Sequence, residues 1–115
     1  MPKPDPLIRL KHMLNAGKEI LSLTREKTQE ELESDRKLNL AVVRLLEVIG
    51  EAANKIPSED RNLYPEIPWP EIIGLRNRLI HGYDSVDLDI VWQIITNDLP
   101  QLIHALQKIL AAEPS

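Results

Sequence analysis

The longest periodic segment of the sequence runs from Asp35 to Ile56, and it restricts the fold more than any other feature. Its apolar residues recur every three or four positions, so on an α-helix they form one continuous stripe. They are Leu38, Ala41, Val42, Leu45, Leu46, Ile49, Ala52, Ala53 and Ile56. A stripe of this length has to pack against other elements, so the sequence predicts a long amphipathic helix inside a helical domain.

Shorter segments before it have the same helical period. Asp5 followed by proline is typical of a helix start, and we predict a first helix over about residues 6–25. Thr28 and Glu31 have the spacing of a capping box, which predicts a short helical turn before the long helix. Gly17 and Gly50, within the two long helices, indicate close packing against neighbouring helices.

The second half of the chain predicts a connector and three further helices. The proline-rich stretch 64–70 cannot be the interior of a regular helix, and we expect it to place Trp69 in the core. A helix is predicted from about Pro70 to His81, and another begins near Asp87. Asp98, just before Leu99-Pro100, predicts a kink or the cap of a last helix. No strand pattern occurs, so the predicted fold is an all-α, up-and-down bundle of four to five helices.

Composition narrows the possible functions. With 115 residues the chain is predicted to be a single domain, 1–115, and its lack of cysteine excludes disulfides and thiolate metal sites. It shows no secretory signal and no apolar run long enough for a membrane span, so we expect a cytoplasmic protein that does not enter membranes. The formal net charge of −4 argues against broad binding of nucleic acid. An RNA substrate would therefore need a local basic cleft.

The ten residues from Leu75 to Asp84 concentrate polar groups. Asn77 and His81 are four residues apart, so on a helix they share a face, and Gly82 follows where a left-handed glycine cap commonly ends a helix. His81 would then lie in the last helical turn, with its ring accessible to solvent. An ordinary helix C-terminus has the same features, so the pattern alone leaves both interpretations open.

These residue types suit cleavage of RNA without a metal ion. An imidazole such as that of His81 exchanges protons near neutral pH, and Arg76 offers a permanent cation with a fork of donors for phosphate oxygens. Asn77 can orient the imidazole or donate to phosphate, and Tyr83 can donate a hydrogen bond at the mouth of the site. The three histidines have no metal-binding spacing, so neither a metal nor a cofactor is predicted.

The pattern Arg76-Asn77…His81-Gly82-Tyr83 resembles the signature of HEPN-domain ribonucleases. Three flanking blocks resemble its HepT branch, the toxin half of HepT/MntA (type VII) toxin–antitoxin pairs. They are Ile49-Gly50-Glu51-Ala52-Ala53, Ile67-Pro68-Trp69 and Asp87…Val91-Trp92. The likeness covers most of residues 5–111.

This resemblance implies an activity and a means of control. Arg76 and His81 would be catalytic, with Asn77 and Tyr83 in support. It implies a homodimer whose two motifs face one cleft, which would provide the second histidine that acid–base cleavage needs. It also implies that an MntA-like nucleotidyltransferase antitoxin silences the toxin by transferring AMP to Tyr83, giving O-AMP-tyrosine.

Other interpretations remain open at the level of sequence. The chain could be a non-catalytic helical binding or adaptor protein that partners a nucleotidyltransferase, or a nucleotide-binding accessory to such an enzyme. Glu51 could be a neighbour of the site or an ordinary ion-paired residue of a helix. Tyr83 could be buried and structural instead of accessible for modification.

Overall fold

The predicted long helix forms, and the rest of the chain packs around it. A computed structural model describes residues 5–80 and 85–112. In it, helix α3 spans Arg36–Asn54 and begins at Asp35, whose carboxylate accepts a hydrogen bond from the Leu38 amide at 3.1 Å. Its apolar stripe is buried, with Val42, Leu46 and Ile49 fully inaccessible to solvent.

Two capped helices precede α3. Helix α1 spans Pro6–Thr24, and Asp5 caps it by accepting from the Leu7 amide at 2.9 Å. Helix α2 spans Gln29–Ser34 and has the predicted capping box, in which Thr28 and Glu31 accept from each other's amides at 3.1 and 3.0 Å. Helix α1 packs against α3 and against the last helix of the chain. Its fully buried face consists of Leu10, Met13 and Ile20.

The middle of the chain consists of short helices and the predicted connector. Helix α4 spans Ser58–Arg61, and α5 spans Trp69–Ile73. Trp69 is 7% exposed, and its indole nitrogen donates to the carbonyl oxygens of Arg61 and Tyr64 at 3.0 and 3.1 Å. The prediction that the connector places Trp69 in the core is therefore confirmed.

The predicted motif helix is divided in two, and it ends earlier than expected. Helix α5 stops at Ile73, and α6 spans only Leu75–Leu79. Gly74 between them has φ −83° and ψ 3°, a conformation outside the regular helical region. Ile80 is extended, with φ −107° and ψ 120°. The prediction of one continuous helix from Pro70 to His81 is wrong, because the helix is divided at Gly74 and ends at Leu79; His81 itself lies outside the described residues.

The C-terminal third is one helical rod with a widened turn. Helix α7 spans Leu88–Gln93, a π-helical segment spans Ile94–Asp98, and α8 spans Leu99–Ala112. Asp98 does not cap a fresh helix, because the Leu99 amide bonds back to the Ile94 carbonyl and the rod continues. The predicted kink takes the form of a π turn, placed just before Pro100, whose ring would crowd the carbonyl four residues earlier in a regular α-helix.

The all-α prediction is confirmed. The four to five predicted helices correspond to α1, α3, the α5–α6 pair and the rod of α7 and α8, with α2 and α4 as short additions. Within residues 5–80 and 85–112 the one extended pairing is an isolated bridge between Ile80 and Val86. None of the helices in these ranges has the length and apolar content required to cross a membrane.

Candidate functional site

Helix α6 is short and amphipathic, and it presents three polar side chains to solvent. Leu75 and Leu79, four residues apart, are buried against the core, whereas Arg76, Asn77 and Arg78 between them are exposed. Asn77 and Arg78 therefore lie on the open side of α6, away from the core.

Arg76 reaches back to the central helix. Its Nε lies 3.6 Å from Oε2 of Glu47 on α3, an ion pair between a side chain that is 70% exposed and one that is only 21% exposed. The glutamate is thus the less exposed side chain of the pair, and most of the arginine remains accessible to a ligand. A phosphate oxygen can approach the exposed guanidinium through charge-assisted hydrogen bonds.

Close packing of α5 on α3 fixes where α6 begins. A Cβ at Gly50 would lie 3.0 Å from the carbonyl oxygen of Ile72, so a side chain at position 50 would require the backbones of α3 and α5 to move apart by a few tenths of an ångström. The expected tight helix contact at Gly50 is confirmed. Trp69 anchors the other end of α5 through its two indole hydrogen bonds, so Arg76 and Asn77 project from a well-supported turn.

Backbone hydrogen bonds also fix the chain where it leaves the C-terminus of α6. The Asp87 amide donates to the Leu79 carbonyl oxygen at 2.9 Å, next to the bridge between Ile80 and Val86. The chain between these anchors begins and ends at one place, beside the C-terminus of α6. His81, Gly82 and Tyr83 belong to this connection and lie outside the described residues. Their predicted roles stay predictions.

Glu51, the acidic residue singled out from the sequence, has a different partner. Its Oε1 accepts from Nη1 of Arg44 at 3.2 Å, and both side chains are more than half exposed. The structure thus favours the ion-paired interpretation of Glu51. The acidic residue that contacts Arg76 is Glu47, which the sequence reasoning missed. Glu47 lies three residues before Gly50 and therefore on the same side of α3, where the α5–α6 pair approaches, and this was the available signal.

A cavity of about 660 Å³ lies on another side of the same short helices, between α3, the α5–α6 pair and the rod. Its walls are mainly apolar, and its polar lining includes Glu66, Glu71, Asp98 and Arg78. Arg78 is engaged there by Asp98, with Nη1 and Oδ2 at 3.7 Å. With three carboxylates and one guanidinium among its lining residues, this cavity carries a negative balance of charge and does not suit an RNA backbone.

The remaining two histidines lie on other helices. His12 is exposed on α1, and His104 is exposed on α8. Neither lies in a group of metal-ligating side chains, since no such group of three occurs within the described ranges.

The chain is similar to known proteins over most of its length. The family described as "Ribonuclease HepT-like" matches residues 13–109. A Methanocaldococcus jannaschii protein named as a candidate RNase is 38% identical over 110 residues, 96% of this chain and 91% of the relative. The probable ribonuclease HepT of Thermococcus cleftensis is 41% identical over 90 residues, 78% of this chain and 82% of that protein.

A bacterial relative extends the match over nearly the full length of both proteins. A candidate RNase of Caldanaerobacter subterraneus subsp. tengcongensis is 35% identical over 113 residues, which is 98% of this chain and 99% of the relative. No solved structure matches the chain significantly. The family match covers α3, α6 and the segment joining α6 to α7, and with it the whole motif from Arg76 to Tyr83. The chain belongs to the ribonuclease HepT-like family.

Proposed function

We propose that this protein is a metal-independent endoribonuclease and the toxin of a toxin–antitoxin pair, with Arg76 and His81 at its catalytic site. The observation that carries the proposal is the placement of Arg76. Its guanidinium is mostly exposed, at one edge of the anchored segment that continues into His81. Membership of a family described as ribonuclease HepT-like supports RNA as the substrate.

His81 transfers protons in the proposed reaction, and Arg76 supplies positive charge. In the proposed reaction the ribose 2′-oxygen attacks the adjacent phosphorus as its proton passes to a base, and the bond to the 5′-oxygen breaks as an acid protonates it. His81 exchanges these protons, and Arg76 stabilises the negative charge on the phosphorane between the two steps. The products are a 2′,3′-cyclic phosphate and a free 5′-hydroxyl. Asn77 orients the imidazole or donates to phosphate.

Two copies of the chain complete the site in this proposal. One imidazole cannot act as base and acid at the same instant, so the second His81 comes from a symmetric partner facing the same cleft. Two Arg76 guanidinium groups then surround one phosphate. They supply the local positive charge that a chain with net charge −4 lacks overall.

Tyr83 provides the means of control. In the proposed scheme, an MntA-like nucleotidyltransferase transfers AMP from ATP to its hydroxyl: the tyrosine oxygen loses its proton and bonds to the α-phosphorus as pyrophosphate leaves. The added phosphodiester brings negative charge to a connection that starts beside Arg76 and Arg78, and the nucleotide obstructs access to the cleft.

The deciding experiment compares purified wild type with His81→Ala on a labelled single-stranded RNA in the presence of EDTA. Wild type should cleave and leave a cyclic phosphate, and His81→Ala should lose about 10²- to 10⁴-fold, the usual contribution of positioned acid–base catalysis. A DNA oligonucleotide of the same sequence should stay intact because it lacks the attacking hydroxyl. Cleavage that requires Mg²⁺, or that survives in His81→Ala, would rule the mechanism out. An inactive wild type that still binds the nucleotidyltransferase would favour an adaptor protein.

A further inference from the structure

Glu47 is the described side chain that pairs with Arg76, and we propose that it is a positioning residue for this guanidinium. The inference rests on the proposed ribonuclease function and adds a residue on a different helix to it. The ion pair joins Nε of Arg76 to Oε2 of Glu47 across 3.6 Å. This is the one ion pair that links α3 to α6 in the part of the chain that the structure describes.

Burial distinguishes this pair from the other ion pairs of the surface. The Glu47 side chain is 21% exposed, whereas each charged partner in the Arg44–Glu51 and Arg78–Asp98 pairs is at least 42% exposed. A partly buried side chain has fewer conformations open to it than an exposed one, so Glu47 offers Arg76 a better-defined partner than an exposed glutamate would. Its backbone belongs to the 19-residue α3, beside the fully buried Leu46, and is therefore rigid.

Helix α6 needs such an external support. It has five residues and no side-chain cap at its N-terminus, so it cannot fix a long arginine side chain by itself. An unpaired arginine loses rotamer freedom when it binds phosphate, and pairing with Glu47 removes part of that freedom in the free protein. The 70% exposure of Arg76 shows that the support leaves the side chain open to a ligand.

The negative charge of Glu47 also opposes the substrate, and this gives the proposal a distinctive kinetic signature. A carboxylate next to Arg76 weakens the attraction of the ground-state phosphate, while it orients the guanidinium for the more highly charged phosphorane. Glu47→Gln should therefore lower kcat by about 10- to 100-fold, the scale of effect expected from misplacing a catalytic group. KM should stay the same or fall, since repulsion of the phosphate is removed.

The matched control is Glu51→Gln. It removes the other α3 carboxylate that is ion-paired with an arginine, one turn further along the helix, and changes the net charge by the same amount. Because Arg44 is its partner, kcat and KM should both stay at the wild-type values. Glu47→Asp keeps the charge but withdraws it by one methylene group, and its kcat should lie between those of wild type and Glu47→Gln.

A double variant tests whether Glu47 acts through Arg76. In an Arg76→Lys background, Glu47→Gln should cause less than a twofold further loss of kcat, because the guanidinium it positions is already absent. Wild type that cleaves RNA, together with a Glu47→Gln protein whose kcat equals that of Glu51→Gln, would overturn the positioning role and leave the ribonuclease function intact. A rise in KM with unchanged kcat would overturn the positioning role as well. An inactive wild type would overturn the ribonuclease function itself.

Discussion

The α-carbon of Gly50 faces the carbonyl oxygen of Ile72 so closely that a Cβ there would lie 3.0 Å from it. This is a contact with backbone, which cannot rotate away as a side chain can. Helix α5 and, through it, the turn that carries Arg76 are therefore placed by the absence of a side chain on α3.

Gly50→Ala tests this packing. Alanine favours a helix by about 1 kcal/mol over glycine, but forcing α5 away from α3 should cost about 1–3 kcal/mol, as overpacking typically does. We expect a net loss of stability in urea unfolding and a fall in RNA cleavage, because Arg76 moves with α5 and α6.

Gly17→Ala on α1 is the matched control for that variant. Its Cβ would meet the Cγ1 atom of Ile103 at 3.1 Å, the middle of a side chain that can adjust. Its stability should change less than that of Gly50→Ala, and its cleavage should remain. Equal destabilisation by both variants would show that backbone contact at Ile72 is not what limits position 50.

Arg76→Ala and Arg78→Ala should distinguish the contributions of two arginines on α6 to RNA cleavage. Arg76 is proposed to stabilise the phosphorane, and loss of one such donor typically lowers kcat by about 10²- to 10³-fold. Arg78 is paired with Asp98 in the lining of the cavity between α3, the α5–α6 pair and the rod, so Arg78→Ala should retain cleavage within a few-fold. Both side chains are exposed, and thermal unfolding should show similar midpoints. If Arg78→Ala were the inactive variant, Arg78 and not Arg76 would be the residue that stabilises the phosphorane.

The proposed shared cleft requires a dimer. Multi-angle light scattering at micromolar concentration should give twice the 13.1 kDa mass of the chain. Dilution that dissociates the dimer should reduce specific cleavage in parallel, because each cleft takes one His81 from each copy. Full activity in a sample that scatters only as a monomer would contradict the two-histidine arrangement.

Tyr83→Phe should uncouple cleavage from its control. The imidazole and guanidinium remain, so the variant should cleave RNA at a rate within about tenfold of wild type. Without a hydroxyl it cannot accept AMP, so it should stay toxic to cells when expressed with the nucleotidyltransferase. Intact-mass spectrometry should show AMP-sized increases on wild type and none on Tyr83→Phe. Equal silencing of both proteins would indicate inhibition by complex formation alone.

Local patterns in the sequence predicted most of the helices because their causes are local. The stripe of α3, the Asp5 cap and the Thr28–Glu31 capping box each depend on residues a few positions apart, and all three form. The prediction that the motif helix reaches His81 failed because its end is set at long range. The Leu79 carbonyl oxygen accepts a hydrogen bond from the Asp87 amide, and the spacing of apolar residues in a helix cannot predict such a bond.

The candidate site divides in the same way. The exposure of Asn77 has a local cause, because the helical period that buries Leu75 and Leu79 turns position 77 away from the core. The contact of Arg76 with Glu47 depends on how α6 lies across α3, so the spacing of residues along the chain could not predict it. Gly50 was the one sequence feature that indicated where another helix packs closely on α3.

Because the Asp87 amide donates to the Leu79 carbonyl oxygen, the two ends of the connection that carries His81 and Tyr83 are held together at a single point of the bundle. A group attached to this connection, such as the proposed AMP on Tyr83, therefore need not separate the helices that the connection joins. In the proposed scheme, AMP on Tyr83 would act on a connection whose two ends are held together, and it would not require the bundle to unfold.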